Sequence, residues 1–266
     1  MLCHPPGVVC YLASMSDFPP DTTLVRHMFV SPNHDARATP PDMILLHYTG
    51  MRSSEAAIKR LCDPDARVSS HYVVMEDGAV YQLVPESERA WHAGISSWEG
   101  ETDINSRSIG IEIANPGHDL GYPDFPDVQI EAVITLCRDI LARHRISPGR
   151  VLAHSDVAPA RKPDPGEKFP WARLADAGVG IWVEPTAIMP GPELDPGDKS
   201  EMIAKLQEEF RAFGYDLPST GVYDQATREV VTAFQRHFRP ARVDGIVDYS
   251  TYETLKRLLA ARASVA

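Results

Sequence analysis

The chain has 266 residues, 43% hydrophobic and 24% charged, with a formal net charge of -11. That length accommodates one sizeable domain and a small second one. The acidic balance excludes nucleic acid and anionic membrane as natural partners, since both need clustered Lys and Arg, and no run reaches the ~18 apolar residues of a membrane span.

Residues 1–23 read as an N-terminal extension. They lack a basic start and hold only a short apolar run, Val8 to Ala13, after Pro5-Pro6, so we do not read a signal peptide; Met15 is an alternative start. The four cysteines, Cys3, Cys10, Cys62 and Cys137, show no C-x-x-C spacing, and Cys62 and Cys137 read as small buried hydrophobes.

Met43-Ile-Leu-Leu46 is a continuous apolar run ending at His47, Tyr48, Thr49 and Gly50, which predicts a buried strand and a turn. Ser53 or Ser54 caps a short helix, Ser54 to Cys62. Tyr72-Val-Val74 and Val80 to Leu83 flank Asp77-Gly78, a hairpin signal. In Ser108 to Asn115, Ile109, Ile111 and Ile113 share one face, so Glu112 points the other way among small neighbours. Val128 to His144 has helical spacing, and Val151-Leu-Ala153 is a short strand ending at His154. The fold class is therefore α/β, a mixed central sheet flanked by helices.

Residues 184–197 are proline-rich and read as a linker, or as a strap across the first domain. Residues 198–266 read as a three-helix domain, with Asp198 as the first cap and Met202 on the apolar stripe. Two segments there share the pattern G-x-x-D-x-x-T, beginning at Gly221 and Gly245, and each Asp is placed to cap a helix.

The chemistry concentrates in His154-Ser-Asp-Val-Ala-Pro-Ala-Arg-Lys162-Pro-Asp164-Pro-Gly166. His154 ends a strand, Asp164 sits in a stiff loop, and His47 ends a second strand. Two His and one carboxylate leave an open position on a tetrahedral zinc, as a catalytic site requires. On spacing alone this reading stands level with a plainer one. A lone His is usually structural, Asp-Pro-Gly is usually a turn, and ten histidines offer accidental pairs.

Six stretches add to it: Ser31 to Arg37, Ile44 to Gly50, Val68 to Val73, Ala90-Trp-His-Ala-Gly94, Ser108 to Ile113, and the His154 to Gly166 run with Phe169-Pro-Trp171. Together the sequence resembles the type 2 N-acetylmuramoyl-L-alanine amidases, the AmiD- and AmpD-like group related to phage amidases and animal peptidoglycan recognition proteins. The domain expected from the resemblance spans residues 24–183. The C-terminal segment resembles the peptidoglycan-binding type 1 domain through Leu206-Gln207, Gly214-Tyr215, Tyr223-Asp224, Ala233-Phe-Gln235 and Val243-Asp-Gly245.

The resemblance implies one zinc ion per chain on His47, His154 and Asp164. It implies Glu112 as general base and Lys162 beside the oxyanion. The expected substrate is peptidoglycan or its muropeptides, cut between muramic acid and L-alanine. His71, Trp91, His92 and Asn115 are the candidate substrate contacts, while Tyr48 and Thr49 support the His47 ligand. His118, His144 and His237 are read as having no role in the site. A monomer is expected. The unremarkable N-terminus suggests the cytoplasm, whereas a wall-binding module suits the periplasm; of the two we take the cytoplasm. Two rivals remain: a non-catalytic peptidoglycan-binding protein, and a glycosidase pairing Glu112 with Asp164.

Overall fold

The computed structural model describes residues 18–265. Cys3, Cys10, Met15 and residues 1–17 of the N-terminal extension lie outside the described residues. Two short strands, β1 (Val25–Met28) and β2 (His34–Ala36), precede β3 (Met43–Tyr48), whose first five side chains are all buried. A run without polar residues can only sit in a sheet covered on both faces. Ser53 caps α1 (Ser54–Leu61), accepting from the Ala56 N–H. The Asp77-Gly78 turn joins β4 (Tyr72–Val74) to an antiparallel β5 (Val80–Gln82). Then follow β6 (Glu88–Ala90), the single turn α2 (Ile104–Arg107), β7 (Ser108–Ile113), α3 (Asp127–Arg143), β8 (Val151–Ala153), the single turn α4 (His154–Val157) and α5 (Trp171–Asp176).

The main sheet runs β1-β5-β4-β7-β3-β8, parallel except between β4 and β5; β2 and β6 form a separate antiparallel pair. Its two faces divide as the alternation predicts. Ile44, Leu46, Ile109, Ile111 and Ile113 pack under the α3 stripe of Ile130, Val133, Ile134, Cys137 and Ile140. Each such side chain contributes about 1.5–3 kcal/mol when fully buried. The opposite face carries His47 beside Glu112, which are direct neighbours in the β3–β7 register.

Three helices complete the chain: α6 (Glu201–Phe213), α7 (Gln225–Phe238) and α8 (Tyr249–Val265). Asp224 caps α7 and Asp248 accepts from Thr251 N–H at 2.7 Å, as the repeated pattern predicts. The repeat extends to two buried glutamines. The Gln207 carbonyl accepts from the N–H groups of Thr220 and Gly221, and that of Gln235 accepts from Asp244 and Gly245. Two details differ from the sequence reading. Ser200, not Asp198, caps α6, because the Asp198 carboxylate is taken by the Asp195 N–H. Met202 lies on the solvent side, 63% exposed.

The helices share one core with the sheet's second face. Met43, Leu45, Trp98, Leu152 and Val157 pack with Phe210, Phe213, Tyr215 and Phe234. A Cβ on Gly214 would lie 2.4 Å from the Trp98 ring, so only glycine lets α6 end against it. The proline-rich stretch straps the helices rather than the first domain. Leu194 bridges Val247, the Ser250 hydroxyl donates to Thr186 carbonyl, and Arg257 donates to Glu184 carbonyl.

At the centre of this junction lies Asp156. Its carboxylate accepts from the Ala153 N–H (2.8 Å) and the Tyr215 hydroxyl (2.8 Å), and meets His237 Nδ1 at 2.6 Å. His237 has a structural role: it joins the two halves of the chain, and it stacks on Trp171. Asp156→Ala strands buried donors at about 1–3 kcal/mol each. We expect thermal denaturation to show Tm lowered by about 5–10 °C; an unchanged Tm would mean the junction tolerates the loss.

Candidate metal centre and cleft

His47 is the penultimate residue of β3, and His154 follows β8, which pairs with β3 on the side away from β7. The loop carrying Asp164 is pinned to α4, with Ser155 N–H donating to the Asp164 carbonyl (3.0 Å) and Lys162 N–H to the Ala158 carbonyl (3.0 Å). Three elements thus converge on one point. His47 Nδ1 lies 2.8 Å from His154 Nδ1, and Asp164 Oδ2 lies 3.2 Å and 3.0 Å from those two nitrogens. All three residues are buried.

The far sides of the rings show which atoms are ready to bind. His154 Nε2 lies 3.1 Å from the Ala93 carbonyl, which can only accept, so the proton sits on Nε2 and Nδ1 offers a lone pair. His47 Nε2 faces His92 Nδ1 at 3.1 Å. Two imidazole lone pairs and a carboxylate oxygen so close together repel one another unless a cation lies between them. This donor set fits a divalent metal and leaves a position open. Burial and the neighbouring His154 lower the His47 imidazole to about 4, so it is unprotonated at neutral pH. Burial alone would raise the Asp164 carboxyl, but the two histidines hold it well below the usual carboxylate range.

Glu112 stands beside this cluster. Burial pushes its carboxyl well above the usual range, the Asp164 charge adds to that, and Lys162 opposes it. Its Oε2 is sealed from solvent without a hydrogen-bond partner. A buried partnerless oxygen costs stability, and the residue that carries it lines the same cleft as His154 and Asp164. This cleft, of about 400 Å³, is lined by Tyr48, His92, Glu112, Arg161, Lys162 and Asp164, among others.

Three predicted substrate contacts do not line this cleft. His71 is fully buried, with Nδ1 accepting from Gly110 N–H (2.9 Å) and Nε2 facing Arg37 (2.8 Å) and Glu88 carbonyl (3.1 Å). Asn115 spends its amide on the Pro123 carbonyl and the Gly117 N–H. Trp91 lies against the Arg67 guanidinium, 5.9 Å from the ring centre. His71 and Asn115 spend their polar atoms on the scaffold, whereas Trp91 is half-buried outside the cleft lining. His92 does line the cleft, but its Nδ1 is turned towards His47.

Arg161, Glu167 and Arg236 were given no role in the sequence reading, and the structure ties them to the site together with Tyr48, Thr49 and His118. Arg161 donates to the carbonyls of Ala93 and Ile95, both at 2.7 Å, tying the 93–95 turn to the Asp164 loop. The Tyr48 hydroxyl meets His118 Nδ1 at 3.0 Å, His118 Nε2 meets Glu167 at 3.1 Å, and Arg236 of α7 reaches Glu167 at 3.7 Å. His118 therefore braces Tyr48, which lines the cleft, and plays a structural part. Thr49 donates its hydroxyl to the Asn115 carbonyl, holding the turn after the ligand strand.

Residues 37–167 match the family model for N-acetylmuramoyl-L-alanine amidase, and residues 199–255 match that for a putative peptidoglycan binding domain. The chain is 37% identical over 238 residues to N-acetylmuramoyl-L-alanine amidase AmiD of Escherichia coli (strain K12), covering 82% of each chain. It belongs to the N-acetylmuramoyl-L-alanine amidase family. The amidase fold extends to solved structures. The complex of E. coli AmiD with anhydro-N-acetylmuramic acid-L-Ala-D-gamma-Glu-L-Lys superposes with a TM-score of 0.72 at 36% identity, covering 87% of this chain and 94% of that one. AmpDh3 of Pseudomonas aeruginosa superposes with a TM-score of 0.70 at 32% identity, covering 85% and 93%. The 1,6-anhydro-N-acetylmuramyl-L-alanine amidase AmpD of Enterobacter cloacae is 33% identical over 168 residues, 56% of this chain and 87% of that protein. Membership of an amidase family removes the glycosidase rival. Among the described residues, no helix is long and apolar enough to cross a membrane.

Proposed function

We propose that this amidase cleaves the bond between the lactyl group of N-acetylmuramic acid and L-alanine in muropeptides, using one zinc ion held by His47, His154 and Asp164. The observation that carries the reading is the convergence of three buried donor residues, two of them lining one cleft together with Glu112, whose Oε2 has no hydrogen-bond partner. Zinc, when bound, brings the pKa of a coordinated water towards ~7 and polarises a carbonyl.

The chain's own groups do the rest. Glu112 takes the proton from the attacking water and delivers it to the departing L-alanine nitrogen. Its raised pKa suits both steps, because a stronger base accepts the proton readily and its conjugate acid survives to donate it. Lys162, at the cleft edge, places an ammonium beside the oxyanion of the tetrahedral intermediate. The C–N bond breaks, the lactyl group leaves as a carboxylate, and the peptide leaves with a free amine. Lys162→Met is expected to lower kcat by about 10²–10³-fold with little change in KM. A variant that lost only KM would place Lys162 in ground-state binding instead.

The experiment is to follow new α-amino groups and new reducing ends in parallel during digestion of muropeptides. New L-alanine amines without new reducing ends support the amidase reading; reducing ends alone overturn it.

We divide the chain into a catalytic domain (24–183), a proline-rich segment (184–197) and a peptidoglycan-binding three-helix domain (198–266). The full chain carrying Glu112→Gln should co-sediment with insoluble wall; a variant left wholly in the supernatant would remove the binding role. We carry the monomer and the cytoplasmic location as proposals, tested by light scattering and by cell fractionation. A substrate of soluble wall fragments in recycling fits that location.

A further inference from the structure

We propose that His92 is a positioning residue for the metal centre: its Nδ1 receives the Nε2 proton of His47 and thereby aims His47 Nδ1 at the ion. This rests on the metal reading above and adds a residue to it. The direction of the bond follows from the groups around it. One partner in the 3.1 Å contact between His47 Nε2 and His92 Nδ1 must donate. His92 Nε2 faces the Ser108 hydroxyl at 3.4 Å, and that hydroxyl donates to the Ile104 carbonyl at 2.6 Å. The serine oxygen therefore presents a lone pair to His92, whose proton belongs on Nε2. His92 Nδ1 is then the acceptor, and His47 carries its proton on Nε2.

The acceptor is fixed from three sides. Asn105 Oδ1 accepts the N–H of His92 (3.0 Å) and the N–H of Ala93 (2.8 Å), clamping both residues of the turn. The ring lies against Gly110, where an added Cβ would come within 2.6 Å of its atoms. His47 and His71 meet it edge-to-face, at centroid distances of 5.1 Å and 5.6 Å. The next residue does the same work for the other ligand, because the Ala93 carbonyl takes the Nε2 proton of His154. One dipeptide thus sets both imidazoles, with Asn105 as its anchor. Outer partners of this kind fix tautomer and ring orientation, and their loss typically weakens metal binding.

The test is zinc affinity of the full chain, measured by competition with a chromophoric chelator, with thermal denaturation of the metal-free proteins alongside. His92→Phe keeps a ring but no acceptor, whereas the side-chain oxygen of His92→Asn can stand where Nδ1 stands. We expect about 10–100-fold weaker zinc binding for His92→Phe and about wild-type binding for His92→Asn. Gly110→Ala, which displaces the ring but leaves it chemically intact, should also weaken binding. Equal affinity in wild type and His92→Phe overturns the inference alone, as does equal loss in both His92 variants. No zinc on the wild type overturns the metal reading and this inference with it. Without any substitution, ¹⁵N spectra of the zinc-loaded protein should show His47 bound through Nδ1 with a proton on Nε2; binding through Nε2 overturns the inference.

Discussion

Replacing Glu112 with Gln is expected to leave zinc content unchanged and to lower kcat by about 10²–10⁴-fold, the usual contribution of a general acid–base group. Gln matches Glu in shape but cannot accept a proton from water. Glu112 is not among the three convergent donors, so the metal site should survive. The pH profile carries the same assignment. Activity needs the carboxylate form, so kcat/KM should fall as pH drops through a pKa that burial and Asp164 hold above the ordinary carboxylate range. Lys162 favours the charged form, so Lys162→Met should move that acid limb to higher pH, and a bound cation should move it down.

The same shift has a sign for stability. A carboxyl whose folded pKa exceeds its unfolded value costs stability once pH rises above the unfolded value, because the fold disfavours the charge. Glu112→Gln should therefore raise the Tm of the metal-free protein at neutral pH. A stable but inactive variant would show a site that gives up stability for chemistry. A variant with full activity would remove Glu112 from the reaction.

Asp164→Ala is expected to abolish stoichiometric zinc and to reduce turnover by about 10³-fold or more, since metal stabilisation of the transition state is worth several kcal/mol. The carboxylate is the only negative charge among the three donors. Without it, two buried neutral imidazoles remain, and a divalent ion loses both a ligand and its main charge compensation. Elemental analysis after dialysis gives zinc per chain, and the amine-release assay gives turnover. Retention of one zinc with full activity would exclude Asp164 as a ligand.

The elements of the fold were legible wherever local patterning decides the structure. The apolar run before His47, the alternating isoleucines around Glu112 and the Asp77-Gly78 turn each led to the observed element. The convergence of His47, His154 and Asp164 was legible too, because His47 lies near the end of β3 and His154 directly follows β8, the strand paired beside it. Less legible were residues whose role depends on a partner far away in sequence. Asp156 sits in the motif itself, yet its partners Tyr215, just past the end of α6, and His237, on α7, belong to a segment that composition reads as a separate unit. Asn105 and Gly110 look unremarkable along the chain and gain meaning only where the 92–93 turn crosses the sheet. His71 and Asn115 stand in motifs near the site, but their polar atoms are consumed by backbone and Arg37. Motif membership marks proximity to a site; hydrogen-bond partners distinguish contact from support. The Asp198 cap failed for a related reason, since two residues of suitable type compete there and the Asp195 N–H takes the aspartate.

The central claim is metal-dependent cleavage of the muramoyl–L-alanine amide, and mass spectrometry of a muropeptide mixture after digestion tests it most directly. The full chain is incubated with zinc, and in parallel with excess chelator. The account predicts intact stem peptide and peptide-free amino sugar in the zinc sample alone. Uncut muropeptide from a protein shown to hold zinc would contradict it, and would return the chain to the reading of a protein that binds the wall without cutting it.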